Sequence, residues 1–407
     1  MTVISEAPPR SQSRALGPLV VVFLALGLST ALSFPFLSLF LTSAVHAGPI
    51  KLSLFLLVQP LSGVLVSTVL GRLSDARVAR RRVLMTAAVA GAAGAAVFSV
   101  LRSYWPLLLV ACTLSAVGGA LMPQGFAFAR AMFARDPTAP MVTSTLRMFF
   151  SLSWVAGPPL ASLLLNAGGF TSLYACSGAL YAVILIVVAR WFIEPPALLR
   201  MTAGDDHGDG LSTAGARRSL WTTLVALVLL QGAIALNVQL VPLLVRHDLH
   251  AGVDAAGVIL GVCAGLEIPA MLGFGLLSKR VSLQLLVRIG PLFGIAYYAL
   301  AAAAGQVWQL GAAQLLNACF IAVMQGLAVS YVQDLLPSHP GRASTLYSNT
   351  FVCGMILAGP VLGIGAQLGY RVSFIIAVAL SVAGLVLLTL GRPEHADSSQ
   401  QPITNAG

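Results

Sequence analysis

Two ionisable residues stand far from any charged neighbour in long apolar stretches of this sequence. They are Glu267, within Gly265-Leu266-Glu267-Ile268-Pro269, and Arg147, within Leu146-Arg147-Met148-Phe149-Phe150. A charge surrounded by hydrocarbon is costly, so such a residue implies a wet cavity, a partner or an exchangeable proton. Desolvation penalises the charged carboxyl, which makes Glu267 a candidate for reversible proton uptake. Arg147 offers a rigid planar fork of donors, suited to pairing with Glu267 or to binding a polar solute; its long stem also allows it to snorkel toward an interface. Around these two lie isolated amides: Gln59, Gln124, Gln231, Asn237, Gln239, Gln314, Asn317, Gln325 and Asn349. Trp154, Phe34, Phe149 and Phe150 supply flat apolar faces. This inventory suits hydrogen bonding and proton exchange in an apolar surround. The plainer alternative for each amide is an interhelical hydrogen bond, worth about 0.6 kcal/mol.

Covalent chemistry has no comparable support. His46, His207, His247, His250, His339 and His395 all fall in predicted loops or tails, with neither metal-ligand spacing nor an evident nucleophile. Cys112, Cys176, Cys263, Cys319 and Cys353 stand singly in apolar stretches and are expected to be packing residues. A phosphate-binding loop of the Walker type is absent, which argues against direct ATP drive. No catalytic residue, cofactor or metal is expected, and the chain is not expected to be an enzyme.

The elements that must position these residues are membrane helices. The 407 residues are 58% hydrophobic and 9% charged, with mean hydropathy +0.90. A soluble domain carries about 25% charged residues, so lipid must be the solvent for most of the chain. A bilayer-crossing helix needs roughly 20 mainly apolar residues. Hydropathy predicts twelve: 15–43, 50–71, 83–102, 105–129, 140–166 and 170–193, then 219–245, 253–276, 283–304, 307–333, 342–367 and 370–391. The expected fold class is all-α membrane protein, two six-helix bundles at 15–194 and 219–391, with a linker at 195–218 and tails at 1–14 and 392–407.

The net charge of +10 follows topology rather than a nucleic-acid partner. Of the 23 Lys and Arg residues, 18 fall on the side of the two termini and four on the other, with Arg147 left inside. That bias is the positive-inside pattern and predicts cytoplasmic termini. The halves echo each other at an offset of about 200 residues. Gly71-Arg72-Leu73-Ser74-Asp75 matches Gly275-Leu276-Leu277-Ser278-Lys279, and Met122-Pro123-Gln124-Gly125 matches Met324-Gln325-Gly326. Ala156-Gly157-Pro158-Pro159-Leu160 matches Ala358-Gly359-Pro360-Val361-Leu362. Parallel six-helix repeats place a solute site at their interface near the bilayer midplane.

The loop Gly71-Arg72-Leu73-Ser74-Asp75-Ala76-Arg77-Val78-Ala79-Arg80-Arg81-Arg82 resembles the signature of the major facilitator superfamily between its second and third helices, although Val78 or Ala79 stands where a glycine is usual. The resemblance implies a conformational latch at Gly71, Asp75 and Arg81. A narrower resemblance spans nearly the whole chain. Pro35-Phe36-Leu37-Ser38-Leu39-Phe40-Leu41, Met122-Pro123-Gln124, Ser151 to Ala161, Gly265 to Met271 and Gln333-Asp334-Leu335 are similar to the bacterial sugar efflux transporter family. That resemblance implies a multi-pass protein of the bacterial inner membrane, exporting lactose- or glucose-like sugars or glycosides by alternating access in exchange for protons. A sugar needs amide or carboxylate partners and an aromatic face. The expected substrate-binding set is therefore Gln59, Gln124, Arg147, Trp154, Gln231, Asn237, Glu267, Asn317 and Asn349, with Glu267 and Arg147 also coupling protons. The expected partners are a sugar, protons and the lipid bilayer, without nucleic acid, and the chain is expected to be monomeric. A proton-coupled multidrug exporter of the same fold is the nearest alternative, and a non-transporting membrane sensor a more distant one.

Overall fold

The structure, a computed structural model, describes residues 10–76, 80–133, 139–192 and 214–391. Among them every regular element is helical. Eleven stretches are long and apolar enough to cross a bilayer. One of these, Met141–Trp191, has 51 residues. At ~1.5 Å per residue it would reach about 75 Å, more than twice the roughly 30 Å hydrocarbon core. Its helix breaks at Gly168 and at Gly169 (φ 63°, ψ −157°). Left-handed φ brings a Cβ against the following carbonyl, and glycine escapes that clash. Divided at this break, the eleven stretches give twelve spans, as hydropathy predicts.

Numbered in chain order, span 1 is Arg10–Ser33 continued by Leu37–Ser43, span 2 Pro49–Ala76, span 3 Arg80–Val100 and span 4 Tyr104–Met132. Spans 5 and 6 are the two arms of Ala139–Trp191. Then come span 7 (Ala214–His247), span 8 (Val253–Leu277), span 9 (Leu283–Ala303), span 10 (Val307–Leu335), span 11 (Pro340–Leu368) and span 12 (Tyr370–Leu390). Several helices outrun their hydropathy boundaries, as at Arg10 and Ala214. Hydropathy marks where lipid begins, whereas a helix keeps its backbone bonded into the polar turn beyond. Most of the expected linker, 195–218, lies outside the described residues.

Proline and π-helical turns interrupt particular spans. Span 1 stops at Ser33 and resumes at Leu37, around Pro35, which has no N–H to continue the ladder. Spans 4 and 10 each contain a π-helical turn, at Ala111–Ser115 and Ala322–Leu327.

The repeat extends beyond the three sequence echoes. After spans 1 and 7 the chain turns at His46 (φ 54°) and His250 (φ 49°). Each turn closes through the alanine that follows: Ala47 N donates to Leu41 O at 2.8 Å, and Ala251 N to Val245 O at 2.9 Å. The underlying echo, His46-Ala47-Gly48 and His250-Ala251-Gly252, is legible in the sequence but lies in loops, away from the motifs compared there. An arginine also opens or follows the opening of spans 3 and 9 to cap a neighbour. Arg81 donates to Val188 and Ala189 carbonyls of span 6, and Arg288 Nε to Leu388 O of span 12 at 3.2 Å.

Tryptophans mark the bilayer boundaries. Trp105 and Trp308 open spans 4 and 10, while Trp191 and Trp221 close span 6 and open span 7, and all four are exposed. Amphipathic indoles settle at the two membrane interfaces. The fifth, Trp154, is half-buried inside span 5.

The two bundles touch at the end opposite the termini. Span 8 lies against span 5 there so closely that a Cβ on Gly257 would sit 2.6 Å from Pro158 O, and one on Gly261 2.6 Å from Pro159 Cγ. Span 11 lies equally close to span 2, with a Cβ on Gly359 falling 3.0 Å from the Leu56 carbonyl carbon. Ser38 Oγ of span 1 donates to Gln239 O of span 7 at 2.7 Å. One turn further along span 8, at Gly265, nothing lies within 4 Å of a built Cβ, and the same holds at Gly273 and Gly275. The bundles therefore part toward the end that carries the termini, leaving a cleft between spans 2, 5, 8 and 11.

Candidate functional site

Helical spacing carries each interface stripe directly into the cleft. On span 5, Ser162, Pro158 and Val155 face span 8. The same stripe continues inward through Trp154 and Ser151 to Arg147. Arg147 is exposed, and its guanidinium lies 5.6 Å from the centre of the Phe126 ring of span 4. Trp154 meets Phe34, which lies in the break of span 1, edge-on at 6.4 Å. On span 2, Gln59 lies one turn inward of Leu56, half-buried. On span 11, the stripe through Gly363, Gly359, Ile356 and Val352 ends at Asn349, which is exposed. Gln59, Arg147, Trp154 and Asn349 are thus brought to one cleft from three different spans.

The opposite bundle supplies amides. Gln231 of span 7 donates through Nε2 to Tyr347 Oη at 3.1 Å, and Gln325 Nε2 of span 10 reaches Gln231 Oε1 at 3.3 Å. Tyr347 Oη lies 2.6 Å from Met324 O and 3.0 Å from Gln325 Oε1. Met324 belongs to the π-helical turn of span 10. Arg147 lines the cleft from the other bundle, where it is exposed. Charge from one half and hydrogen-bonding groups from the other therefore share this part of the cleft.

Glu267 lies beside the same turn. One helical turn before it, Cys263 Sγ accepts from Asn317 Nδ2 at 3.1 Å, and one turn after it Met271 lies against Gly326. That brackets Glu267 on the face of span 8 toward span 10, level with the start of Ala322–Leu327. It is mostly withdrawn from solvent and, among the described residues, has neither a hydrogen bond nor an ion pair. Arg147 and Glu267 do not pair in this conformation.

Other expected site residues have structural partners. Asn237 Oδ1 accepts from Tyr297 Oη at 2.9 Å, Gln314 Nε2 donates to the same hydroxyl at 3.0 Å, and Asn317 Nδ2 to Gln314 Oε1 at 2.9 Å. This fully buried chain ties spans 7, 9 and 10 together and reaches span 8 through Cys263. Gln124 is buried inside the first bundle, where its Nε2 lies 3.9 Å from a Cβ built on Gly71. Asp75 falls in the last turn of span 2, with its side chain outside the described residues, and Arg81 caps span 6 as above. A separate groove of about 390 Å³ between spans 9 and 10 is lined by Leu300, Trp308, Ala312 and Leu316 among others. It is apolar, faces outward and holds none of the candidate residues.

Sequence reasoning missed Tyr347 and Phe126. Tyr347 carried a signal, standing in the polar run Ser344-Thr345-Leu346-Tyr347-Ser348-Asn349-Thr350 inside an otherwise apolar span. Phe126 carried none, since phenylalanine is common in every span.

The arrangement can hold a polar solute between an aromatic and guanidinium wall and an amide wall, beside a carboxyl that lacks a partner. Comparison with known proteins points the same way. The model of the Major Facilitator Superfamily matches residues 19–360 and 290–406. Sugar efflux transporter B of Salmonella typhimurium is 35% identical over 386 residues, covering 94% of this chain and 97% of the relative. Sugar efflux transporter C of Escherichia coli is 32% identical over 373 residues, covering 91% and 94%. Among solved structures, a nucleoside transporter superposes with a TM-score of 0.77 at 14% identity, covering 93% of this chain and 98% of its own. A bacterial homologue of the lysosomal transporter Spinster, inward-facing and occupied, gives 0.74 at 12% identity, covering 95% and 97%. At such identities these structures speak for the fold alone.

Proposed function

Because this chain belongs to the sugar efflux transporter family of the major facilitator superfamily, we propose that it exports sugars or glycosides of the lactose and glucose type in exchange for protons. It is a multi-pass membrane transporter and not an enzyme. The observation that carries the substrate class is the pairing of walls in the cleft. Trp154 and Phe34 offer an apolar face for a pyranose ring, while Gln325, backed by the buried Gln231, and Arg147 offer hydrogen-bonding groups for its hydroxyls. A greasy pocket for drugs would not need a cluster of two amides and a phenol contributed by three spans.

Glu267 is the proton carrier in this scheme. Its carboxyl lies beside the amide cluster, has no partner in the described state, and is the acidic residue deep within a span. Protonated, it makes no charge to oppose movement of span 8; deprotonated, it is available to Arg147 or to the sugar. With the positive-inside bias setting the termini in the cytoplasm of a bacterial cell, the described state opens inward, closed by spans 2, 5, 8 and 11 at the far end. The loop at Gly71, Asp75 and Arg81 would act as the latch at the open end, and the two bundles of 15–194 and 219–391 would rock about the site in a monomer.

The test is efflux of radiolabelled lactose and glucose from vesicles, with and without an imposed pH gradient, for wild type and Glu267→Gln. Gradient-stimulated movement in wild type, lost in the variant while sugar–sugar exchange persists, is expected. No sugar movement under any gradient would refute the substrate class and favour a multidrug exporter.

A further inference from the structure

We propose that Tyr347 is the residue that positions the Gln231 and Gln325 amides for a polyhydroxy solute, and so sets the affinity for it; this rests on the sugar-export assignment. The Tyr347 hydroxyl carries one proton, yet two acceptors lie within bonding distance, Met324 O at 2.6 Å and Gln325 Oε1 at 3.0 Å. It can serve only one of them. The shorter contact is with Met324 O, in the π-helical turn of span 10. Tyr347 therefore holds the π turn, and Gln325 Oε1 is left to accept from an incoming group.

The donors are also incompletely used. Gln231 Nε2 gives one bond to Tyr347, and Gln325 Nε2 gives one bond to Gln231 Oε1 at 3.3 Å. Each amide nitrogen has a second N–H without a partner among the described residues. One acceptor and one donor thus stand together on the Gln325 amide, which is held in register by its bond to Gln231 and, through Gln231, by the phenol on span 11. Gln231 and Tyr347 are buried, and Gln325 is half-open toward the cleft that Arg147 lines. Vicinal hydroxyls, each a donor and an acceptor, match that set; an apolar solute would leave it unsatisfied.

The experiment uses purified full-length protein in proteoliposomes and measures lactose and glucose counterflow for wild type, Tyr347→Phe and Gln325→Ala. Efflux of ethidium, an aromatic cation without hydroxyls, serves as the comparison. Tyr347→Phe keeps the ring and removes one hydroxyl; Gln325→Ala removes the half-open amide and leaves Gln231 Oε1 on span 7 without its donor, so rates are read per folded molecule. Both are expected to raise the half-saturation concentration for sugar about tenfold, with the maximal rate per folded molecule within about twofold of wild type and ethidium movement unchanged. Wild-type half-saturation in both variants, with maximal rates falling only as the folded fraction falls, would make Tyr347 a structural residue and overturn the proposal. A wild type that moves neither sugar would overturn the export assignment itself, a failure visible before any variant is compared.

Discussion

The contact of spans 5 and 8 between the two bundles can be tested one methyl at a time. Gly257 of span 8 faces Pro158 O and Ser162 Oγ of span 5, each 2.6 Å from the position a Cβ would take, with Ser162 Cβ at 2.7 Å. Carbon atoms do not settle at such distances, and a backbone carbonyl in a helix cannot retreat without its span. Overpacking of this kind costs about 1–3 kcal/mol. The cost falls only on the state in which spans 5 and 8 touch at the end opposite the termini. Since about 1.4 kcal/mol is tenfold in an equilibrium, Gly257→Ala should shift the conformational balance away from the described state by roughly five- to 150-fold, and Gly257→Val by at least as much. Gly265→Ala on the same span is the control, because nothing lies within 4 Å of its Cβ. Spin labels at Trp105 and Trp308, both exposed at that end and on opposite bundles, would report the change by pulsed electron resonance. A longer distance for Gly257→Ala and Gly257→Val, with Gly265→Ala resembling wild type, is expected, together with slowed transport. An unchanged distance distribution in Gly257→Val with normal transport would refute the claim that these spans form the closed end.

Two further outcomes separate site from scaffold. Tyr297→Phe removes the hydroxyl shared by Asn237 and Gln314, leaving buried polar groups unpaired at about 1–3 kcal/mol, so the melting temperature should fall while sugar half-saturation stays near wild type. Arg147→Lys keeps a positive charge but loses the planar fork, so half-saturation for sugar should rise severalfold while stimulation by a pH gradient persists; loss of that stimulation would instead place Arg147 in the proton path.

Much of this protein is determined by composition and period. Stretches of about 20 apolar residues cannot be solvated by water, and in lipid a backbone must bond to itself, so twelve helices follow from hydropathy alone. Even the division of Met141–Trp191 is legible, because Gly168-Gly169 offers the one conformation that reverses the chain there. The intramembrane charges Arg147 and Glu267 announce themselves by their cost. What the sequence leaves open is which polar side chain faces which neighbour. Asn237, Gln314 and Asn317 look the same in sequence as Gln231 and Gln325, yet the first three are consumed by a buried chain through Tyr297 and Cys263, while the last two meet Tyr347 at the cleft. An amide's partner depends on the rotation of each helix about its axis and on the register between spans, and those are settled by packing such as Gly261 against Pro159. The same holds for Arg147 and Glu267. Their types and depths are written in the chain, but whether they meet depends on how far two bundles have swung apart, and only the tertiary structure fixes that.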